Sequence, residues 1–152
     1  MDKIVGNFTG TGGRIGRQQW WIGIIIVAVA NLVIGWVLGL IIGPGWGQLI
    51  SAIVIAYPQI AIGVKRRHDK DNAGLDVIVF IALGLIINLL AAVGVIQMAP
   101  MGTGAALAMS PLSLVVMAIF GLYAVYMLVV LGFLKGTAGP NQYGADPIGG
   151  GA

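Results

Sequence analysis

The sequence predicts an all-α polytopic membrane protein. It should have four transmembrane helices, N-in/C-in, paired as two antiparallel hairpins. Three observations carry this. Of the 152 residues, 59% are hydrophobic and only 9% charged, whereas a soluble domain meets water with roughly 25% charged residues. Four apolar runs, uncharged but for Asp76 at the start of the third, reach the about 17–25 residues that cross a bilayer. Every Lys and Arg lies outside those runs, on one side.

The first run, residues 20–43, opens with Trp20 and Trp21, where an interfacial aromatic belt is expected. It is too long for the apolar core of a signal peptide, and no small-residue cleavage site with a polar mature chain follows it. It is therefore read as an uncleaved span. The turn at 44–47, rich in Pro and Gly, predicts a tight hairpin into the second and shortest run, residues 48–64. Pro58 should kink that span and free a carbonyl, with Ser51, Tyr57 and Gln59 near enough to satisfy it. The third run is 75–98 and the fourth 112–134. Nothing alternates with strand period over ten-residue segments, which excludes a barrel. In lipid, backbone groups must be satisfied within the segment, so these runs should be helices. The connection 99–111 is itself apolar and either lies on the outer surface or dips into it. Residues 1–148 form one domain, and 149–152 read as a flexible tail.

Charge gives the direction. Lys3, Arg14 and Arg17 precede the first span, Lys65, Arg66, Arg67 and Lys70 separate the second and third, and Lys135 follows the fourth. The two opposite connections carry no charge. The excess of basic residues marks the cytoplasmic side. A net charge of +3 spread this way orients a membrane protein and does not form a nucleic-acid-binding face. Cys is absent, which removes disulfides, thiol chemistry and Cys-based metal sites.

Within the spans, Gly35, Gly39 and Gly43 repeat every four residues, and Ala52 and Ala56 do the same in the second span. Small residues at this spacing let helices approach closely, either within the hairpin or across a homodimer seam. Asn31 and Asn88 lie deep in spans one and three, as interhelical hydrogen-bonding groups or as parts of a polar path. No ionisable residue occupies the middle of a span, which argues against proton relays, ion-coupled transport and voltage sensing.

Most remaining polarity sits in "KRRHDKDNAG", residues 65–74. A single His and no Cys make a zinc site implausible, and His68-Asp69 alone does not form a metal-dependent phosphohydrolase centre. Asp69 and Asp71 offer a weak magnesium pair. The plain role of His68 is to orient Asp69 or cap a helix. Arg14 and Arg17 stand three apart before the first span, and Asn141 and Asp146 lie in the turn-rich segment after the fourth. Arg14, Arg17 and Arg66 on one face repel unless neutralised, and Asp69 and Asp146 are the available neutralisers. The start, the loop and the tail should therefore fold over one another and close the cytoplasmic end. The same cluster, with Lys65, is a candidate for binding anionic lipid or phosphate.

Three motifs stand in order. The first is Gly13, Arg14, Arg17 and Trp20. The second is Lys65, Arg66, His68, Asp69 and Gly74. The third is Gly136, Thr137, Gly139, Asn141, Tyr143, Gly144, Asp146 and Pro147. Together they resemble the YhaH-type family of small bacterial inner membrane proteins, domain of unknown function 805, over nearly the whole chain. The family's loop usually continues Ser-Gly-Trp, where this chain has Ala73-Gly74-Leu75 and so lacks an aromatic anchor. The resemblance implies a multi-pass protein of the bacterial inner (cytoplasmic) membrane and supplies no catalytic residues.

The functional expectation is a non-catalytic integral membrane protein, an accessory or structural subunit of a larger membrane complex. The alternative is a small-solute or lipid-handling transporter or channel acting as an oligomer. A membrane enzyme on phosphorylated headgroups, using His68, Asp69 and Asp71, ranks last. No cofactor, metal or nucleic acid is expected. The expected partners are the bilayer with its anionic lipid, and a protein partner or a second copy.

Overall fold

The computed structural model describes residues 6–97 and 109–147. Lys3, most of the outer connection and the tail 149–152 lie outside them. The fold is all-helical, with four helices long and apolar enough to cross a membrane. We number them α1 (Arg17–Ile42), α2 (Pro44–His68), α3 (Leu75–Ala92) and α4 (Pro111–Leu128). A wider π-helical turn, Val129–Phe133, continues α4. Among the described residues the only β-type pairing is the Asn141–Gly144 bridge.

The expected turn at 44–47 is not a turn. Pro44 is the first residue of α2, and Gly43 alone, at φ +91°, reverses the chain. Proline suits that place because its missing N–H has no intrahelical acceptor and its φ is already helical. The hairpin is tight. A Cβ on Gly47 would collide with the backbone of Leu38 and Gly39, and one on Gly35 would meet the Gln48 side chain. Gly35 and Gly39 thus face α2, with Ala52 and Ala56 half-buried on α2.

Helix α2 is also longer than expected. It is continuous through Pro58 and ends at His68, so Lys65, Arg66 and His68 are buried residues of its last turn and not a solvated loop. Cations there complement the negative end of the helix dipole. Neither Tyr57 nor Ser51 serves the carbonyl that Pro58 frees. The Tyr57 hydroxyl accepts the Gly10 N–H at 2.9 Å, and the Ser51 hydroxyl lies 2.7 Å from Asn31 Oδ1.

Helix α3 stops at Ala92, six residues early. Gly94 at φ +78° takes the left-handed cap conformation, and the Val95 and Ile96 N–H groups turn back onto the Leu90 carbonyl. Helix α4 begins on Ser110, whose hydroxyl accepts the Ser113 N–H at 3.2 Å.

The core lies towards the basic end, where Trp20, Val27, Ile55, Ile62, Val77, Met127 and Leu131 pack together. Trp20, expected in an interfacial belt, is 3% exposed. Gly132 leaves room for the rings of Trp20 and Trp21, which meet edge to face at 5.0 Å. Helix α4 leans on α3 through the stacked rings of Phe80 and Phe120, and on α1 and α2 through its π turn.

Candidate functional site

Two polar constellations stand out, one at each depth of the bundle. The first closes the basic, cytoplasmic end. Its centre is Asp69, the residue that follows α2. One carboxylate oxygen, Oδ1, accepts from Arg14 Nη2 at 3.0 Å and Nε at 3.2 Å. The other, Oδ2, pairs with Arg66 Nη1. Side-chain exposure is 1% at Arg14, 0% at Arg66 and 3% at Asp69. Such a pair is stable only if further acceptors surround it, and here every nitrogen of both guanidinium groups donates to at least one oxygen. Arg14 Nη1 donates to the Gly139 and Gly144 carbonyls at 2.8 and 3.2 Å, and Nη2 to the Thr137 carbonyl at 2.8 Å. Arg66 Nε donates to the Leu131 carbonyl at 2.8 Å and Nη2 to that of Leu134 at 2.5 Å.

The tail is pinned onto this centre. The Thr137 N–H donates to the Asp69 carbonyl at 2.8 Å, and Asn141 Nδ2 to the His68 carbonyl at 2.8 Å. Asp146 accepts the Gly139 N–H at 3.1 Å, which folds the tail on itself. Gly136 passes so close to Asp69 that a Cβ would overlap its carboxylate. His68 neither orients Asp69 nor caps a helix. Its Nδ1 lies 3.1 Å from the Gly13 carbonyl and must donate, since a carbonyl only accepts. Its ring stacks on Tyr143 at 3.8 Å.

The carbonyls at the end of the last span are capped largely by side chains. A helix leaves its last carbonyls without intrahelical partners. Here Leu131 and Leu134 take Arg66, Gly132 takes Trp21 Nε1 at 3.2 Å, and Phe133 takes Arg17 Nη1 at 3.3 Å. Lys65 does the same for the N-terminal segment, donating to the carbonyls of Gly6, Asn7 and Thr9 at 2.6, 3.4 and 3.0 Å. Arg67 pairs with Asp76 at 2.6 Å and ties α2 to α3. Asp71 points away, exposed, with φ +57°. Burial, then the nearby Arg66 and Arg67 charges, hold the Lys70 ammonium below its ordinary value. Among the described residues no three His, Cys, Asp or Glu side chains gather in a metal-binding group.

The second constellation lies inside the membrane region. Asn31 of α1, Gln48 and Gln59 of α2 and Asn88 of α3 line one cavity of about 210 Å³. Asn31, Gln48 and Gln59 also line an adjoining groove of about 730 Å³, bounded by Gly35 and Trp36. Asn31 is held by the Ser51 hydroxyl, and Asn88 Nδ2 donates to the Gly84 carbonyl at 2.8 Å. Among the described residues the Gln48 and Gln59 amides have no hydrogen-bond partner. Sequence reading placed Gln48 only at a span boundary. Its signal was the eleven-residue step to Gln59, about three helical turns, which puts both on one face.

Comparison with known proteins agrees with this architecture. Two curated relatives, each an "Inner membrane protein YhaI" from Escherichia coli (strains K12 and O157:H7), are 29% identical over 80 residues, covering 51% of this chain and 67% of theirs. No solved structure matches. The family model described as "Protein of unknown function (DUF805)" matches residues 8–145, and with four spanning helices the chain is a multi-pass bacterial inner membrane protein that belongs to the DUF805 family.

Proposed function

We propose that this chain is a non-catalytic accessory or structural subunit that associates with a larger membrane complex. The observation that supports it is how little of α4 the rest of the chain covers. Only Ser113 and Met127 of its eighteen residues are buried. Leu122 is 73% exposed, and nothing lies within 4 Å of a Cβ built on Gly121. A helix so uncovered, with a glycine on its open side, suits close approach by another helix. The cytoplasmic centre supports the non-catalytic part of the reading. Asp69 and both of its arginines are committed to each other and to backbone carbonyls, and Asp71 stands apart, so no open cleft collects His68, Asp69 and Asp71.

The test is a native gel of membranes solubilised in mild detergent, with the chain tagged and its band analysed by mass spectrometry. Migration in a large assembly with stoichiometric partners supports the reading. Migration alone overturns it.

A second reading, small-solute or lipid handling, is favoured by the convergence of Asn31, Gln48, Gln59 and Asn88 on one cavity. Flux into vesicles that contain the purified chain tests it.

A further inference from the structure

We infer that the amide-lined groove between α1 and α2, with the adjoining cavity that α3 also lines, binds an uncharged amphiphile whose head carries both a hydroxyl and a carbonyl, of the acylglycerol type. This deepens the second reading and shares its cavity, but requires binding only, not movement across the membrane.

The argument begins with unpaired hydrogen-bonding capacity. A carboxamide offers two donors and one acceptor oxygen. In the hydrocarbon region water does not supply partners, and a polar group left unmade is costly. Gln48 and Gln59 nonetheless meet no donor or acceptor among the described residues, while each lines both the cavity and the groove. Amides retained for packing would be satisfied within the chain, as Asn31 and Asn88 are in part. The chain therefore leaves this capacity for something that enters.

The lining fixes the chemistry of the ligand. No Asp, Glu, Lys, Arg or His contributes to either space. A charged head would sit there uncompensated in a low dielectric, so the head must be neutral. Amide N–H groups need an acceptor and amide oxygens need a donor, so a head with both a carbonyl and a hydroxyl is complementary. The walls are apolar and aromatic, with Trp36 on the groove and Phe80 and Phe120 on the cavity. Trp36 is 66% exposed on the flank open to lipid, which provides a path for a tail. Position agrees as well. Gln48 and Asn88 each lie four residues from the outer end of their helix, roughly 6 Å in, and Gln59 about 16 Å deeper. The groove thus runs from near the outer interface inwards, the direction a lipid enters.

The experiment uses the full chain purified in detergent and titrated with dioleoylglycerol, or with dioleoylphosphatidylglycerol as the charged counterpart. Bound lipid is counted by native mass spectrometry. The variants are Gln48→Met and Gln59→Met, which keep the side-chain length and remove the amide. The expected result is saturable binding of dioleoylglycerol, with binding of the anionic lipid at least tenfold weaker. Each variant should lose about five- to tenfold in affinity, the worth of one hydrogen bond. Because neither amide has a partner within the chain, thermal stability should hold or rise. The proposal is overturned by equal binding of the two lipids, by equal binding in wild type and variants, or by a melting temperature that falls in either variant. It is also overturned by a polypeptide that occupies the groove and is released by the same substitutions. Binding without flux leaves the site standing and removes the transport reading.

Discussion

Arg66 holds the Asp69 carboxylate with one nitrogen and two carbonyls at the end of α4 with the other two. Asp69 in turn takes Arg14 from the opposite side. One buried carboxylate thus joins the N-terminal segment, the end of α2 and, through Arg66, the last span.

Asp69→Asn removes the charge and leaves two buried guanidinium groups to face each other. Breaking a buried pair on one side costs about 3–5 kcal/mol. Folded yield and the melting temperature in detergent should both drop sharply. Asp71→Asn is the matched control, one charge lost from an exposed side chain, and should leave both unchanged.

Gly136→Ala should mimic that loss without removing any charge. The new methyl occupies the space of the Asp69 carboxylate and pushes the Thr137 N–H off the Asp69 carbonyl. Gly12→Ala, where nothing lies within 4 Å, is the control. Equal melting temperatures for the two variants would show that the tail does not need this contact.

Arg66→Lys tests the fork itself. Arg66 serves a carboxylate and two carbonyls in different directions, and a single ammonium nitrogen with a shorter reach than the guanidinium fork cannot serve all three. The substitution should cost about 2–3 kcal/mol despite the retained charge. The π turn at Val129–Phe133 should loosen first, which amide exchange at 129–134 would show.

Lys70 makes stability pH-dependent. Burial, then Arg66 and Arg67, lower its pKa in the folded protein, whereas in the unfolded chain it returns to about 10.4. Between those two values the unfolded state binds more protons, so stability rises with pH there. Below the lowered value the cost of the charged form is fully present. Lys70→Gln should therefore raise the melting temperature near neutral pH, and the gap should close as the buffer approaches about pH 10. A pH-independent difference would place the effect elsewhere.

The spans and their polarity were legible because they depend on the gross partition of charge from apolar runs, and a bilayer reads only that. The pairing of Asp69 with Arg14 and Arg66 followed from charge repulsion and from three polar motifs sharing one side, whereas the contact of Asp146 with the Gly139 N–H did not. The burial of Arg66 and Lys65 was not legible, because hydropathy assigns a basic residue to water. Their interior position is tolerable because the Asp69 carboxylate and the carbonyls of Leu131 and Leu134 take Arg66, and those of Gly6, Asn7 and Thr9 take Lys65, most of them delivered by distant segments. Trp20 misled for a related reason. Tryptophan before a span is ordinarily an interfacial anchor, and only Gly132, more than a hundred residues away, gives it a place inside. The meeting of Gln48 with Asn88 depends on how α3 packs against α2, which no local pattern encodes.

The glycines of α1 permit a last prediction that separates hairpin packing from self-association. Sequence alone allows Gly35 and Gly39 to serve either. In the structure Gly47 packs on the backbone at Gly39, and Gly35 on Gln48 and Ser51, so the close approach lies within one chain. Gly47→Val must push α1 and α2 apart and lose the dispersion contacts that stand in for a hydrophobic drive in lipid. The outer half of the hairpin should then open, lowering the melting temperature by several degrees, while the oligomeric state measured by light scattering in detergent stays that of the wild type. A variant that instead dissociates an oligomer at unchanged monomer stability would show that the glycine face meets a second copy.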